Sequence, residues 1–379
     1  MMKTTANEEA RMAWVKTLEP DTVVWETTLA CNMRCIHCGS SASPLTKRKD
    51  ELTTKEAIGV IGQLKKIRTR RVVLSGGEPF MRRDWEILSK KIAEAEMVPC
   101  FISNGFLVNE HVAETIKSID CPDVHIGLSI DGDEKVHDYI RQTKGSFKKV
   151  TRAMEILKDK GVQTSVITQV NMLNFKILPR IRDHIFKYGI YAWQIQLATP
   201  WGRLAESPDL LLQPKDYLEM VKFIVKMREV CGDLIVGADD IGYYTKYEPT
   251  IRPEQEWDGC HAGIRALGIT SNGGVTGCLS LQEPQFIEGN VRKRKLKDIW
   301  YDHKLFAYNR DFHEKDLKGF CKTCPYALKC RGGCKNTAQS FTGSLFENYY
   351  CAFRVMLDKK LARTKIKPRN VIGAGQYHP

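Results

Sequence analysis

No stretch of about 18 apolar residues occurs in the chain, so nothing in it is expected to span a membrane. The segment Met1–Trp14 mixes acids and bases and lacks an apolar core, so no export signal is expected either. Low-complexity tracts are absent. Among the C-terminal cysteines only Cys321 and Cys324 make a Cys-x2-Cys pair, whereas a zinc ribbon needs two such knuckles. What remains is ordinary for a globular enzyme: 42% hydrophobic and 27% charged residues over 379 positions, long enough for a catalytic domain plus a smaller appendage.

Thirteen cysteines are present, and without an export signal metal or redox chemistry outweighs a disulfide framework. Three fall within Cys31–Cys38 and seven between Cys260 and Cys351, while Cys100, Cys121 and Cys231 stand alone and read as small buried hydrophobes. The formal charge of +13 resembles a nucleic-acid footprint, but it counts every cysteine as neutral. Ten thiolates on three clusters with cores of about +2 each would lower it by about 4. The remaining basic residues (Lys65, Lys66, Arg68, Arg70, Arg71 and Arg292–Lys297) lack interleaved aromatics, so solvated faces are expected rather than nucleic-acid binding.

A strand–helix rhythm starts at Thr22. Strands are expected at Thr22–Ala30, Arg71–Ser75, Val98–Ser103, Val124–Ile130, Val162–Val170 and Ala192–Ala198, separated by amphipathic helices. The first helix opens with the capping box Thr53-x-x-Glu56 and places Ile58, Ile61, Leu64 and Ile67 on one face. Six such units predict a parallel sheet curled into an open, partial (β/α)6 barrel, an α/β fold whose ligands sit at the strands' C-terminal ends. The expected divisions are an N-terminal arm (1–21), this core (22–205), a linker (206–258), a small cysteine-rich α+β domain (259–354) and a basic tail (355–379). Asn272-Gly273-Gly274 marks a hairpin in the small domain.

Directly after the first strand come Cys31, Cys35 and Cys38, with His37 before the last. Thiols at i, i+4 and i+7 in a loop can hold three irons of a cubane cluster and leave the fourth open; a zinc site would need a fourth ligand, which His37 could supply. Ser75-Gly76-Gly77-Glu78-Pro79 follows the second strand, Ser103-Asn104-Gly105 the third, and Ser129-Ile130-Asp131-Gly132 the fourth, with Arg141 beyond. In this order the motifs resemble the radical S-adenosylmethionine (SAM) superfamily. The resemblance implies a [4Fe–4S] cluster on Cys31, Cys35 and Cys38 that cleaves SAM to a hydrogen-abstracting 5′-deoxyadenosyl radical. It also implies SAM contacts from His37, the Gly76–Pro79 turn, Ser103, Asn104, Ser129 and Arg141, and more loosely from Gln196 and Leu197. The cofactor would supply the hard chemistry and the protein its orientation.

The C-terminal pattern, Cys260-x12-Gly273-x4-Cys278, then Cys321-x2-Cys324-x5-Cys330-x3-Cys334, then Cys351, resembles the seven-cysteine SPASM domain of peptide- and protein-modifying relatives. That likeness implies one auxiliary iron–sulfur cluster on Cys321, Cys324, Cys330 and Cys351 and another on Cys260, Cys278 and Cys334. The fourth ligand of the three-thiol cluster is open, with His261 a weak candidate. Auxiliary clusters can accept an electron from a substrate radical; a purely structural role is the alternative.

For the substrate, a ribosomally made peptide receiving an oxidative cross-link is the leading expectation, with a small molecule or tetrapyrrole as alternative. Anaerobic sulfatase maturation loses weight because Leu279, not an acid, follows Cys278. With 30 residues before Cys31, leader recognition is expected from the enzyme's body or a separate protein. A flavodoxin or ferredoxin would supply electrons, and oxygen-sensitive clusters imply a reducing cytoplasm. Asp239, Asp240, Tyr243 and Tyr244 read as linker residues with surface or packing roles.

Overall fold

The computed structural model describes residues 6–46, 48–281 and 283–358. The basic tail from 359 on, and the first five residues of the N-terminal arm, lie outside the described residues.

All six expected strands form, as β1 (Thr22–Thr28), β2 (Arg71–Gly76), β3 (Val98–Ser103), β4 (His125–Ser129), β5 (Gln163–Val170) and β6 (Ala192–Leu197). They pair in parallel, each with the next. Val, Ile, Leu and Trp fill their buried face, and in β2 and β6 these alternate with half-buried residues on the other. Two further parallel strands extend the sheet. β7 (Ile235–Gly237) pairs with β6, and β8 (Ala266–Ile269) pairs with the other side of β1. The barrel is therefore eight parallel strands wide, in the order β8-β1-β2-β3-β4-β5-β6-β7, with the antiparallel β9 (Gly274–Thr276) and β10 (Gly289–Asn290) outside β8.

This differs from the six-stranded expectation in one respect. The hairpin at Asn272–Gly274 forms, but its first strand joins the core sheet instead of staying in the small domain. The expected linker likewise contains a long helix (Pro214–Cys231) and β7. At three residues β7 is too short to show a period, which is why the sequence did not reveal it; the hairpin signal that marks β8 carries no information about its parallel partner.

The helix after β1, Thr54–Lys66, has its capping box: Thr53 Oγ1 accepts from Glu56 N–H at 3.3 Å and the Glu56 carboxylate accepts from Thr53 N–H at 2.8 Å. It buries Ala57, Val60, Ile61 and Leu64; Ile58, expected inward, is 36% exposed. The basic faces are paired with acids: Lys65 with Glu96 at 2.9 Å, Arg68 with Glu19 at 2.8 Å, and Arg292 with Glu56 at 2.6 Å. Among the described residues no helix is long and apolar enough to cross a membrane.

Candidate active site and cysteine sets

Cys31, Cys35 and Cys38 sit on the loop leaving β1, with Cys31 and Cys35 buried alongside Leu29, Met33 and Ala42. Burial pushes the Cys31 thiol up to about 12, and Glu78, Cys35 and Cys38 add to the rise; Cys35 moves the same way. Thiols grouped this closely, and this reluctant to ionise alone, need a cation to become thiolates together.

Several elements pin the loop. Ile36 N–H bonds Ile140 O at 2.9 Å, on the helix Glu134–Arg141. The buried Arg203, just past β6, donates to Cys35 O and Ala42 O, each at 2.7 Å. Next to it Gly202 lies against the loop, where a Cβ would come within 2.4 Å of Cys38 O. No local pattern in the sequence marks Arg203, whose partners are 161 and 168 positions away.

The Gly76-Gly77-Glu78-Pro79 turn approaches the same loop. Gly77 and Glu78 N–H bond Thr28 O and Ala30 O at 2.8 and 2.9 Å, and a Cβ on Gly76 (φ +135°) would lie 2.1 Å from Thr28 O. The two glycines thus bring backbone against the end of β1. Glu78 is fully buried and accepts from Ser103 Oγ at 2.8 Å and Asn104 N–H at 2.9 Å. Burial nevertheless pushes its carboxyl up to about 7. Asn104 Nδ2 reaches within 3.8 Å of Cys31 Sγ, so three expected residues converge.

Beyond β4 the hub is Asp131, inside the Ser129–Gly132 motif but not among the expected contacts. Its carboxylate pairs with Arg141 at 2.5 Å and His37 at 2.9 Å, and accepts from Gln169 N–H at 3.0 Å. Burial would raise its pKa, but Arg141 and His37 more than offset this and hold it well below the usual carboxylate range. Arg141 reaches on to 3.9 Å from Cys35 Sγ, so the two expected residues His37 and Arg141 are oriented through one buried acid. Ser129, half-buried, lies at the end of β4, while Leu197 N–H bonds Asp240 Oδ2 at 3.0 Å. Burial raises Asp240 to about 7.

Buried polar atoms without partners gather in this layer: His37 Nδ1, Asn32 Nδ2, Arg141 Nε, Gln169 Oε1 and Asp240 Oδ1. Buried donors and acceptors are normally satisfied, and a zwitterionic, adenine-bearing ligand offers partners of both kinds. The residues fit such a ligand.

The C-terminal cysteines divide into two groups. Cys321, Cys324, Cys330 and Cys351 line one small pocket, walled by Tyr243, Tyr244, Phe320, Tyr326 and Phe353. Burial raises Cys330 to about 12, with Cys321 and Cys324 adding to it. Burial likewise raises Cys278 to about 11, followed by Cys260, and Cys334 is raised by burial and then by Cys260, Asp240 and Cys278. The four thiols that line one pocket are Cys321, Cys324, Cys330 and Cys351, while Cys260, Cys278 and Cys334 lie outside its lining. Soft thiols in apolar walls suit iron–sulfur clusters. Among the described residues no three His, Cys, Asp or Glu donors converge on a single metal ion.

His261, the weak candidate for the three-thiol set, bonds Asp258 through Nε2 at 3.2 Å, and its ring stacks on Trp257. Tyr243 and Tyr244, expected as linker packing, stand between the thiol groups with φ of 79° and 51°, strained for bulky residues. Tyr243 Oη accepts from Cys334 N–H at 3.1 Å and donates to Asp239 O at 2.5 Å. Asp239 is exposed beyond β7, and its charge acts on the Cys278 thiol.

Comparison with known proteins agrees with this layout. The radical SAM superfamily model matches residues 25–183, and the iron–sulfur cluster-binding SPASM model matches 260–325. An AdoMet-dependent heme synthase of Methanosarcina barkeri is 27% identical over 88% of this chain and 97% of its own length. The mycofactocin maturase MftC of Mycolicibacterium smegmatis is 29% identical, over 86% of this chain and 80% of that protein. The fold matches that of Streptococcus suis SuiB bound to S-adenosylmethionine with a TM-score of 0.70 at 17% identity, covering 91% of this chain and 81% of that one. The chain belongs to the radical SAM superfamily: it is a radical SAM enzyme with a C-terminal SPASM domain, whose cofactors are SAM, a [4Fe–4S] cluster and auxiliary iron–sulfur clusters.

Proposed function

We propose that the chain is a peptide maturase that installs an oxidative cross-link on a ribosomally made peptide. In this reading residues 22–205 form the catalytic core, 206–258 bridge, and 259–354 carry the auxiliary clusters. Cys31, Cys35 and Cys38 hold the catalytic cluster; Cys321, Cys324, Cys330 and Cys351 hold one auxiliary cluster, and Cys260, Cys278 and Cys334 the other. The catalytic cluster, when bound, supplies the electron that cleaves SAM to the hydrogen-abstracting radical. Glu78, held by Ser103 and Asn104, offers its carboxylate to the SAM amino group, and the Asp131–Arg141 pair keeps positive charge beside Cys35. The buried walls of the loop exclude water from a reactive radical.

The observation that carries the peptide reading is Asp239, an exposed carboxylate beyond β7 whose backbone is tied through the Tyr243 hydroxyl to Cys334 of the three-thiol set. An acid there suits a peptide's amide and amine groups and repels the acid side chains of a tetrapyrrole. Likeness to the mycofactocin maturase supports it. The second reading, modification of a tetrapyrrole, is favoured by likeness to the heme synthases, whose length the chain covers more fully.

Anaerobic co-expression with short candidate peptides, against a Cys35→Ala control, tests the proposal. Loss of two hydrogens per event, absent from the control, is the expected result. An unchanged mass with no deuterium uptake in deuterated water, while SAM is still cleaved, would turn the assignment to the tetrapyrrole reading.

A further inference from the structure

Lys335 is fully buried, an uncommon place for an ammonium. It opens the helix Lys335–Thr342 directly after Cys334. Its Nζ donates to Arg331 O at 2.5 Å and Leu345 O at 3.0 Å, and lies 4.1 Å from the centroid of the Phe346 ring. Carbonyl dipoles and an aromatic face solvate the charge in part, but none of them carries an opposite charge. Cys260, Cys330, Cys334 and Cys351 pack around one buried cluster beside it, and the groups that would turn negative nearest to it are thiols. They come from both C-terminal groups: Cys260 from the three-thiol set, and Cys330 and Cys321 from the four-thiol set. The chain path agrees, since Lys335 follows Cys334 of one set and grips the carbonyl of Arg331, which follows Cys330 of the other.

An isolated buried charge is costly, so a charged lysine in this position is stabilised by an anion nearby. Thiolate-ligated clusters are anions, and each gains a further negative charge on reduction. A fixed cation nearby favours the reduced form over the oxidised one, because attraction in a low-dielectric interior grows with the cluster's charge. We propose that Lys335 is the shared counter-ion of the two auxiliary clusters and raises the reduction potential of both. The inference rests on the ligand sets given above and not on the identity of the substrate. Lys335 is a tuning residue: it would make either cluster a better acceptor for an electron leaving a substrate radical, without itself touching the reacting atoms.

The test uses the full chain, reconstituted anaerobically, in a Cys31→Ala, Cys35→Ala, Cys38→Ala background that leaves only the auxiliary clusters to titrate. Iron content of this background first checks the ligand sets themselves; absence of auxiliary iron would sink that assignment separately. Potentials are then followed by EPR in Lys335→Met and Lys335→Arg. Both auxiliary potentials should fall in Lys335→Met and stay near the parent's in Lys335→Arg. A shift in neither cluster, or in one alone, overturns the shared role. If Lys335→Met fails to hold auxiliary iron, retention in Lys335→Arg still supports a charge requirement, whereas loss in both variants means packing and overturns the proposal. In the otherwise native chain, SAM cleavage without substrate should be unchanged by Lys335→Met, which separates this result from failure of the catalytic reading.

Discussion

The two cysteine regions are built on opposite plans. The Cys31–Cys38 loop is short and leaves a strand of the large hydrocarbon core that buries Trp25, Val72, Leu74 and Phe101, and polar side chains from three later segments strap it down. The four-thiol region has aromatic walls but little regular structure to carry them. Its helices Gly319–Lys322 and Ala327–Cys330 are four residues each, and Arg331, Gly332 and Gly333 run through three successive positive φ angles of 54°, 87° and 74°. Turns so short do not hold themselves together. In the first region the protein shapes a site that metal then occupies; in the second, metal stands where a core would be.

The largest effect should break that symmetry. Cys35→Ala should abolish SAM cleavage while thermal unfolding of the barrel moves little. Cys330→Ala with Cys351→Ala should instead release residues 319–351 to protease, since a structural metal in a small domain contributes on the order of 10 kcal/mol. Limited proteolysis and melting of the two variants side by side would check this. Equal protease resistance would mean that the aromatic wall of Tyr244, Tyr326 and Phe353 suffices without metal.

Next in size is Arg203→Met. It strands two buried carbonyls, Cys35 O and Ala42 O, at roughly 1–3 kcal/mol each. The first loop should lose iron while the C-terminal sets keep theirs, as EPR of the reduced protein would reveal. Loss of auxiliary iron as well would show the regions to be less independent than their architecture implies.

Two buried carboxylates sharpen the contrast within the first site. Glu78 titrates near about 7 when folded, above the roughly 4.3 of a free glutamate, so its contribution to stability is full below about 4.3 and is lost as pH rises through about 7. Asp131, held low by Arg141 and His37, contributes oppositely: its share is present above about 3.9 and is lost only in stronger acid. Melting of the metal-free protein should therefore weaken between about pH 5 and 7, by on the order of 3 kcal/mol, and Glu78→Gln should flatten that limb. If Glu78 receives the SAM amino group, SAM binding should tighten as pH rises through the same range. Calorimetry in buffers of different ionisation enthalpy would detect the proton released.

Much of this was legible in the sequence, and the residues that were not share a cause. Six strands, the capping box at Thr53 and the Gly76–Gly77 approach all follow from patterns a few residues long, where period, cap and φ act locally. Asp131 lay inside a motif already singled out, yet its role depends on His37 and Arg141 meeting across the barrel. Arg203 and Lys335 carry no local signal at all: a basic residue on a loop or helix start reads as surface, and only the fold shows each to be buried. β8 joined the core because β1 had an unpaired edge, a fact about the sheet and not about residues 266–269.

The smallest predicted effect concerns the join between the two regions. Trp201, beside the glycine that lies against Cys38, donates through its indole N–H to Asn336 Oδ1 at 2.6 Å, and Asn336 follows Cys334 by two residues. Asn336→Ala removes that bond and a weaker one to Thr199 at 3.4 Å, which should cost about 1 kcal/mol. So small a loss should leave iron content and SAM cleavage without substrate intact. Yet the bond ties the segment that carries Cys334 to the segment that follows β6, and a slight displacement of an electron acceptor falls on the oxidation step alone. The expected signature is a higher ratio of 5′-deoxyadenosine to modified product, measured by chromatography and mass spectrometry in one reaction. An unchanged ratio would mean that other contacts hold the register, with Gln339 to Glu283 at 3.2 Å the next to remove.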